Sequence, residues 1–290
     1  MSYQPTFMIV NHVDVKFCIV ISGGKAVLGA TNPADPNQRW MKLDDASKDA
    51  EGQPTFRLVN FGTNEVLRGG HFRQASGSEV NSVLWSFSKE SNQDFRTLRM
   101  ASNVTRRKLH PSSFRMVAGN WVDLWDGPND HTSTQWKFQQ DSMITISSGR
   151  KEGYNLTVRD EAVVLAPADP KNEYQIWIKD TFYAKQVKDQ DGKQAFALVN
   201  KATGKAMKHG FGLGYLVQLA EIDQNYLDSS LLWTESDKGS SFREIRMQSN
   251  TSAVFHAFYV DEEDLNKALL TLESRNGSTD QSWKFQEITA

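Results

Sequence analysis

The sequence predicts an all-β protein of two tandem β-trefoil domains, each a pseudo-threefold barrel. Three observations predict this fold class: two rows of tryptophans, an internal duplication, and many short strands separated by turns. Six of the eight tryptophans recur at intervals of roughly 50 residues, which indicates a repeat architecture. Because a tryptophan buries a large apolar area, we expect one from each lobe to fill the barrel and to take no part in chemistry. The six are Trp40, Trp85, Trp136, Trp177, Trp233 and Trp283.

The two halves of the chain align along almost their whole length. A shift of 137 residues, which carries Trp40 onto Trp177, superimposes a series of segments in unchanged order. This agreement predicts a tandem duplication, with domain one at residues 1–140 and domain two at residues 141–290, each large enough to bury its own core. With small insertions, the matching pairs are 17–21 with 154–158, 38–40 with 175–177, 56–60 with 196–200, 95–100 with 242–247, and 136–138 with 283–285.

Short apolar or alternating runs predict β-strands in both halves, at residues 7–10, 17–21, 55–59, 97–100, 155–158, 163–165, 196–199 and 244–247. Helical turns are considered only at residues 226–233 and 261–270. Several short strands indicate a sandwich or a barrel, and the threefold repeat selects the closed barrel. Three of the six tryptophans follow a glutamine by two residues, and we expect these glutamines to satisfy backbone groups beneath each lobe: Gln38, Gln175 and Gln281.

The charge balance argues against some classes of partner. The formal net charge is −2 and neither sign dominates, so the composition gives no support to a protein that wraps nucleic acid or binds membranes through a polybasic segment. No apolar run approaches the length of a membrane span, and residues 1–11 lack the pattern of a secretory signal. We therefore expect neither a membrane nor a nucleic-acid partner.

Cysteine and histidine usage indicates neither disulfide nor metal chemistry. Cys18 is the single cysteine, so neither domain can hold an internal disulfide, and a reducing compartment is expected. Cys18 lies in a predicted strand and is interpreted as inert, because a nucleophile would need a nearby base or positive charge. The six histidines show no paired metal-ligand spacing. No constellation of residues supports an enzyme, and no cofactor is expected.

The Gln-x-Trp repeats resemble those of ricin B-type lectin trefoils, and the second half is similar to the plant Euonymus-lectin family. The similarity covers nearly all of residues 150–250, while domain one is a more diverged copy. The tandem layout resembles the two-domain, stress-responsive members of that family. The similarity rests on segments such as Tyr154-Asn155-Leu156-Thr157-Val158-Arg159-Asp160, Val164-Leu165-Ala166-Pro167-Ala168-Asp169-Pro170 and Leu232-Trp233-Thr234-Glu235-Ser236.

This resemblance implies a carbohydrate-binding protein of cytoplasm and nucleus that is not an enzyme and whose partners are glycans or glycoproteins. A sugar site needs an aromatic face for the apolar side of the sugar ring, with carboxylates or amides for adjacent hydroxyls. In this family the third lobe is expected to supply an Asp, a Phe and a His close together. A Leu-Trp-acid-Trp strand follows, and then an Asn-Gln pair before the last tryptophan.

Domain two departs from that family pattern. Its aromatic segment, Phe255-His256-Ala257-Phe258-Tyr259, has a histidine where the Asp would stand. Its stacking strand has become Thr271-Leu272-Glu273-Ser274, without the tryptophan, and an Asp-Gln pair replaces Asn-Gln. The resemblance leaves four residues that could still bind a sugar: His256, Tyr259, Asp280 and Gln281.

Domain one keeps the stacking strand, as Val122-Asp123-Leu124-Trp125-Asp126. Trp125 corresponds to the family's stacking tryptophan, although the region around Leu109-His110-Pro111 is too altered to align. Because they are four residues apart, Trp121 and Trp125 share one face of the strand. Trp125 is either a stacking platform or a core residue, whereas we expect Trp121 in the core. The candidate sugar-binding residues of domain one are Trp125, Asp126, Asn129, Asp130 and His131.

The sequence is therefore consistent with two alternative functions. The leading hypothesis is a lectin with two trefoil domains, in which two weak sites on one chain would gain from multivalency. The alternative is an interaction scaffold, a pair of trefoils that has lost sugar binding and docks proteins. A trefoil protease inhibitor is disfavoured by the tandem layout and by the absence of paired cysteines.

Overall fold

The structure is a computed structural model that describes residues 3, 5–32, 35–69, 83–89, 94–127, 131–184, 187–210, 212–223, 226–236, 241–259 and 268–288. The chain divides into two compact units, one of residues 5–140 and one of residues 141–290 together with residues 1–4. We refer to them as domain one and domain two. No helix in the described ranges is long and apolar enough to cross a membrane.

Tyr3 corrects the boundary predicted from the sequence, which placed it in domain one. Its side chain is buried among apolar residues of domain two, including Ile178 and Tyr183. Its hydroxyl donates a hydrogen bond to Oδ2 of the buried Asp180, 3.0 Å away. The sequence alignment could not reveal this, because it compares the two copies and Tyr3 precedes the first matched segment.

The described residues of domain one form ten strands. Six of them close into a barrel, in which β1 pairs with β4, β4 with β5, β5 with β6, β6 with β7, β7 with β10, and β10 with β1. The others form antiparallel hairpins outside this ring, β2 with β3 and β8 with β9. The strands are β1 Phe7–Asn11, β2 Phe17–Ser22, β3 Lys25–Ala30, β4 Trp40–Lys48, β5 Pro54–Asn60, β6 Trp85–Phe87, β7 Arg96–Met100, β8 Lys108–Pro111, β9 Val122–Trp125 and β10 Gln135–Gln140.

Domain two repeats this plan. Strand β11 pairs with β14 and β22, β14 with β15, and β18 with β19, while the bridges Phe196–Trp233 and Arg243–Trp283 complete the ring. Hairpins again lie outside it, among them β12 with β13 and β20 with β21. The strands are β11 Met143–Ser148, β12 Tyr154–Arg159, β13 Ala162–Pro167, β14 Trp177–Asp180, β15 Ala197–Asn200, β16 Ala206–Lys208, β17 Gln218–Ala220, β18 Trp233–Glu235, β19 Ile245–Met247, β20 Asn250–Phe258, β21 Leu269–Ser274 and β22 Trp283–Glu287.

Within the described residues, all regular structure is strand or short 3-10 turn, so the predicted all-β trefoil class is confirmed. The helical turn considered at residues 226–233 is a three-residue 3-10 turn. Of the second one considered, at residues 261–270, residues 261–267 lie outside the described residues and residues 269–270 belong to β21. The 3-10 turns are Pro36–Gln38, Ser112–Phe114, Thr132–Thr134, Glu173–Gln175, Ser229–Leu231 and Thr279–Gln281.

The six repeating tryptophans have no exposed surface and fill the two cores, as predicted. Each indole N–H donates to a backbone carbonyl of its own lobe, so none of these six buried donors is left unsatisfied. In chain order the acceptors are Ile19, Leu67, Leu109, Leu156, Met207 and Phe255, at 2.8 to 3.2 Å. These contacts also give a structural alignment of the lobes, because equivalent carbonyls receive equivalent indoles.

The glutamine of each Gln-x-Trp motif holds the loop before it, as predicted. The amide of Gln38 accepts from the Asn32 N–H at 2.7 Å and donates to the Ala30 carbonyl at 2.9 Å. It also accepts from Sγ of the buried Cys18 at 3.0 Å, and burial raises the pKa of that thiol to about 12. A neutral, enclosed thiol is a poor nucleophile, in keeping with the inert role expected for Cys18.

Candidate functional site

Strand β9 presents alternate side chains to the core and to the outside of domain one. Val122 is buried in the core, and Leu124 packs against it. Trp121, Asp123 and Trp125 therefore share the opposite face. Trp121 is 52% exposed, with Nζ of Lys25 4.5 Å from its ring centroid, so the prediction that it fills the core is wrong. The physical reason is the strand period of two, which gives the inward face to the even-numbered positions.

Trp125 is half-buried within a cluster of four rings, which we call the third-lobe cluster. Its ring centroid lies 5.2 Å from that of Phe114, 5.4 Å from that of His131 and 5.9 Å from that of His110. Phe114 also lies 4.9 Å from His131 and 5.2 Å from His110. The edge-to-face and tilted geometries are the favoured ones for aromatic pairs, so the cluster fixes the indole of Trp125 in place.

Gly127 makes room for Trp125. A Cβ atom at residue 127 would stand 1.8 Å from Cζ2 of the Trp125 ring, far inside van der Waals contact. The ring therefore lies directly against the backbone of the turn that follows β9. Any larger residue at this position would require Trp125 to move.

The turn after β9 is held from below by Lys108. Its ammonium, on a buried side chain, donates to the Thr105 carbonyl at 2.7 Å and to the Gly127 carbonyl. Burial lowers the pKa of Lys108, and the negative charge of Asp126 partly opposes this effect. Asp126 itself is exposed beside Trp125 in the chain, so its carboxylate is accessible to a ligand.

The two histidines of the third-lobe cluster differ in their hydrogen bonding. His131 is exposed, and its Nδ1 accepts from the Ser133 N–H at 3.2 Å, which caps the following 3-10 turn. That contact requires a lone pair on Nδ1, so the ring proton of neutral His131 lies on Nε2. His110 is 7% exposed, and its Nδ1 has no hydrogen-bond partner among the described residues. Burial lowers the pKa of His110, which favours the neutral ring.

Of the five candidates in domain one, the structure brings Trp125 and His131 into contact and places Asp126 next to Trp125 in an exposed turn. Asn129 and Asp130 lie outside the described residues. Sequence reasoning missed Phe114, His110 and Gly127. The Leu109 carbonyl accepts from the Trp136 indole, and the Phe255 carbonyl accepts from the Trp283 indole. His110 and His256 are the residues that follow these two carbonyls, so the two histidines are equivalent. That match was hidden by the divergent sequence around His110.

In domain two, Arg150 occupies the space between two of the predicted site residues. Its guanidinium lies 4.4 Å from the ring centroid of Tyr259, and its Nη1 is 2.9 Å from Oδ1 of Asp280. The aromatic face and the carboxylate expected to receive a sugar are thus both engaged by a side chain of the same domain. No sequence pattern pointed to this arginine, because it lies far from Tyr259 along the chain.

The other two candidates of domain two take structural roles. Gln281 is fully buried, and its amide accepts from the Asn276 N–H and donates to the Ser274 carbonyl, both at 2.8 Å. The structure therefore removes Gln281 from the predicted sugar site. His256 is half-buried in β20, with Nδ1 3.4 Å from Oγ1 of Thr271 on the paired strand. Glu273 stands where domain one has Trp125, as the paired registers of the two hairpins show.

No protein-family model matches the chain. Curated relatives match over most of its length. Ricin B-like lectin R40C1 of Oryza sativa subsp. japonica is 34% identical over 99% of this chain and 90% of that protein. Ricin B-like lectin R40G2 of the same organism is 33% identical over 89% of this chain and 86% of that protein. The chain belongs to the ricin B-like lectin family.

Within the ricin B-like lectins, the resemblance to the Euonymus type is also confirmed. Ricin B-like lectin EULS3 of Arabidopsis thaliana is 44% identical over 49% of this chain and 46% of that protein. In this ricin B-like lectin, domain one has Trp125 at the hairpin position that domain two fills with Glu273. Among the described residues, no group of three or more His, Cys, Asp or Glu side chains could hold a metal ion.

Proposed function

We propose that this protein is a carbohydrate-binding lectin that holds sugar at the third lobe of domain one. The observation that carries this proposal is the placement of Trp125, which lies on the outward face of β9 rather than in the core. Its indole is fixed by three neighbouring rings and by the backbone of Gly127, against which it lies. A rigid, partly exposed indole beside an accessible carboxylate meets the two requirements of a shallow sugar site.

The chemistry of binding follows from these groups. The apolar C–H face of a sugar ring stacks on Trp125, and adjacent hydroxyls donate to the Asp126 carboxylate. His131, whose ring contacts Trp125, offers an Nε2–H donor. Because the third-lobe cluster already fixes Trp125, little side-chain freedom is lost when sugar binds, which favours affinity.

Backbone strain beside the cluster supports a functional role. Ser113 and Phe114 have φ values of 55° and 56°, a region that residues other than glycine seldom adopt. Such strain costs about 1–3 kcal/mol per residue and concentrates at functional sites. Here it belongs to the turn that brings Phe114 against Trp125 and His131.

The family resemblance extends the proposal to partners and place. Glycans or glycoproteins in cytoplasm and nucleus are the proposed partners, and a response to stress is the proposed setting. Imaging of a fluorescent fusion in plant cells tests the location, and confinement of the fusion to the secretory pathway would contradict it.

A glycan array followed by titration calorimetry tests the proposed site. We expect Trp125→Ala to weaken sugar binding in domain one at least about tenfold, since a buried aromatic contact contributes on the order of 1.5–3 kcal/mol. Trp121→Ala is the matched control, because it removes the other indole from the same face of β9. Equal loss in both variants, or no loss in Trp125→Ala, would place the site elsewhere.

A protein-docking scaffold is the second candidate function. It is favoured by exposed apolar side chains close in sequence, Phe114 at 43%, Val117 at 56% and Trp121 at 52%. Isolated exposed apolar residues are common, whereas an apolar surface patch would mark an interaction site. The same array discriminates the two functions, since folded protein that binds no glycan would favour the scaffold.

A further inference from the structure

Domain two contains a cleft of about 560 Å³ along strands β11 and β22. Its volume is in the range of small-molecule sites. We call it the β11–β22 cleft, and its lining includes Ser147, Gly149, Glu152, Phe242, Lys284 and Gln286. The family's third-lobe pattern assigns no role to these residues.

The duplication shows which residues of domain one stand in the same place. Asn11 pairs with Trp136 as Ser148 pairs with Trp283, so His12 is the counterpart of Gly149. In the same way, Arg96 pairs with Trp136 as Arg243 pairs with Trp283. Phe95, just before Arg96, is therefore the counterpart of Phe242.

In domain one the counterpart of Gly149 is a histidine. The ring of His12 stacks on Phe95, with centroids 4.6 Å apart and an interplanar angle of 20°. Its Nδ1 is hydrogen-bonded to Oε1 of Gln135 at 2.7 Å. Domain two has Gly149 instead, where a Cβ atom would stand 2.7 Å from the Ser282 carbonyl oxygen and 3.2 Å from Cδ1 of Phe242. The imidazole of domain one thus has no counterpart in domain two.

The charged residues near these rings also differ between the two domains. In domain one Lys137 pairs with Asp94 at 3.1 Å, whereas the equivalent positions of domain two hold Lys284 and Ser241. Lys284 makes no ion pair with any described residue, and neither does Glu152. The cleft therefore offers one ammonium and one carboxylate that have no ionic partner among the described residues, and Phe242 lines the same cleft.

We propose that the β11–β22 cleft is a second saccharide site, in which a neutral sugar ring lies against Phe242 where domain one has the His12 imidazole. Sugar hydroxyls accept from Nζ of Lys284 and donate to the Glu152 carboxylate and to Oε1 of Gln286. An anionic ligand would meet the carboxylate of Glu152, and a cationic one the ammonium of Lys284. A neutral polyol satisfies both, because each hydroxyl both donates and accepts.

The cleft itself is independent of the proposed function, but the assignment of its ligand as a saccharide rests on it. Two sites on one chain, built on different lobes, would bind a branched or repeated glycan with an avidity above that of either site. Domain two would then contribute to binding although its third lobe has lost the stacking tryptophan.

The test uses the full chain, with substitutions that remove the binding groups of one proposed site at a time. Titration calorimetry is run with N-acetyllactosamine, methyl α-mannoside, N,N′-diacetylchitobiose and every array-positive glycan. In a Trp125→Ala background we expect one remaining site per chain, which Lys284→Ala and Glu152→Gln each weaken about tenfold or more, as loss of a charged hydrogen bond predicts. Lys137→Ala is the matched control and should leave that site unchanged.

The outcomes separate the two proposals. If Trp125→Ala removes all binding, or if Lys284→Ala and Glu152→Gln leave the remaining site unaffected, the cleft proposal is overturned and the domain-one site stands. If Lys284→Ala removes all binding and Trp125→Ala none, the cleft stands and the domain-one site falls. Binding of no probe by folded wild-type protein overturns both. Circular dichroism melting checks the fold of each variant.

Discussion

At the scale of single residues, the contact between Gly127 and Trp125 gives a sharp prediction. We expect Gly127→Ala to weaken sugar binding in domain one about tenfold, because the new methyl group would displace the indole by occupying its place 1.8 Å away. The fold should survive at a cost of about 1–3 kcal/mol from overpacking. Titration calorimetry gives the affinity, and tryptophan fluorescence reports the changed environment of the ring.

Gly210→Ala is the control for this prediction. Its Cβ would lie 3.6 Å from the Leu216 carbonyl oxygen, which is ordinary contact. Wild-type affinity in Gly127→Ala would show that Trp125 binds sugar from a different position, or that it does not bind sugar.

A second residue-scale prediction concerns a buried ion pair that occurs in both domains. Asp49 pairs with Arg99 at 3.0 Å, and Asp189 with Arg246 at 2.6 Å, with all four side chains at most 5% exposed. Each aspartate also accepts two backbone N–H groups of its own turn, all at 2.9 Å. Asp189→Asn would leave Arg246 with only the half-exposed carboxylate of Asp191, so this variant should lower the free energy of unfolding by up to about 3–5 kcal/mol at pH 7.

The pH dependence of this pair has a defined sign. Burial by itself raises the pKa of Asp189, but hydrogen bonds and the Arg246 guanidinium outweigh it and hold the pKa below its usual value. The stabilisation is therefore complete above the unfolded-state pKa of about 3.9 and is lost as the pH falls through the lower folded-state value. Denaturant unfolding at pH 2–7 should show a weaker acid dependence in Asp189→Asn than in wild type.

Asp191→Asn is the control for both measurements. Asp191 lies 2.8 Å from the same arginine, but its side chain is 48% exposed. An exposed pair contributes only about 0–1 kcal/mol, so this variant should remain close to wild type. A loss as large as that of Asp189→Asn would mean that burial does not determine the strength of this network.

At the scale of elements, strand β9 shows what the sequence could and could not provide. The period of two correctly predicted that Trp121 and Trp125 share a face. It could not say which face is inward, because Val122 and Leu124 are as apolar as the tryptophans. The barrel decides, since Val122 and Leu124 reach the core and leave both indoles outside.

The regular parts of the fold were predictable for a physical reason. The tryptophans and the glutamines before them act within one lobe, so each lobe repeats the same short-range pattern along the chain. The sites depend instead on contacts between distant segments. Arg150 reaches Asp280, and Phe114 reaches His131 through a turn with positive φ values, and no local pattern encodes either contact.

At the scale of the whole molecule, Tyr3 contributes to the stability of domain two. We expect Tyr3→Phe to lower the free energy of unfolding of that domain by about 1.5–3 kcal/mol, because the hydroxyl donates to the buried carboxylate of Asp180. Hydrogen exchange read by mass spectrometry should show faster exchange within residues 141–288, whereas residues 5–140 remain protected as in wild type.

Tyr174→Phe is the matched control, because Tyr174 belongs to the same domain and is 48% exposed. It should leave exchange unchanged. If Tyr3→Phe also leaves exchange unchanged, the hydroxyl contact does not stabilise domain two in solution.

The position of Tyr3 makes domain one an insertion within domain two. Tyr3 donates to Asp180, and Oδ1 of Asp141 accepts from Oγ1 of the next residue, Thr181, at 3.3 Å. Tyr3 and Asp141 therefore contact neighbouring residues of domain two, Asp180 and Thr181. Excision of that segment, with residue 4 joined to Asp141, should yield a free-standing trefoil that keeps its anchoring tyrosine, and a shorter chain beginning at Asp141 should be less stable by the contribution of that side chain.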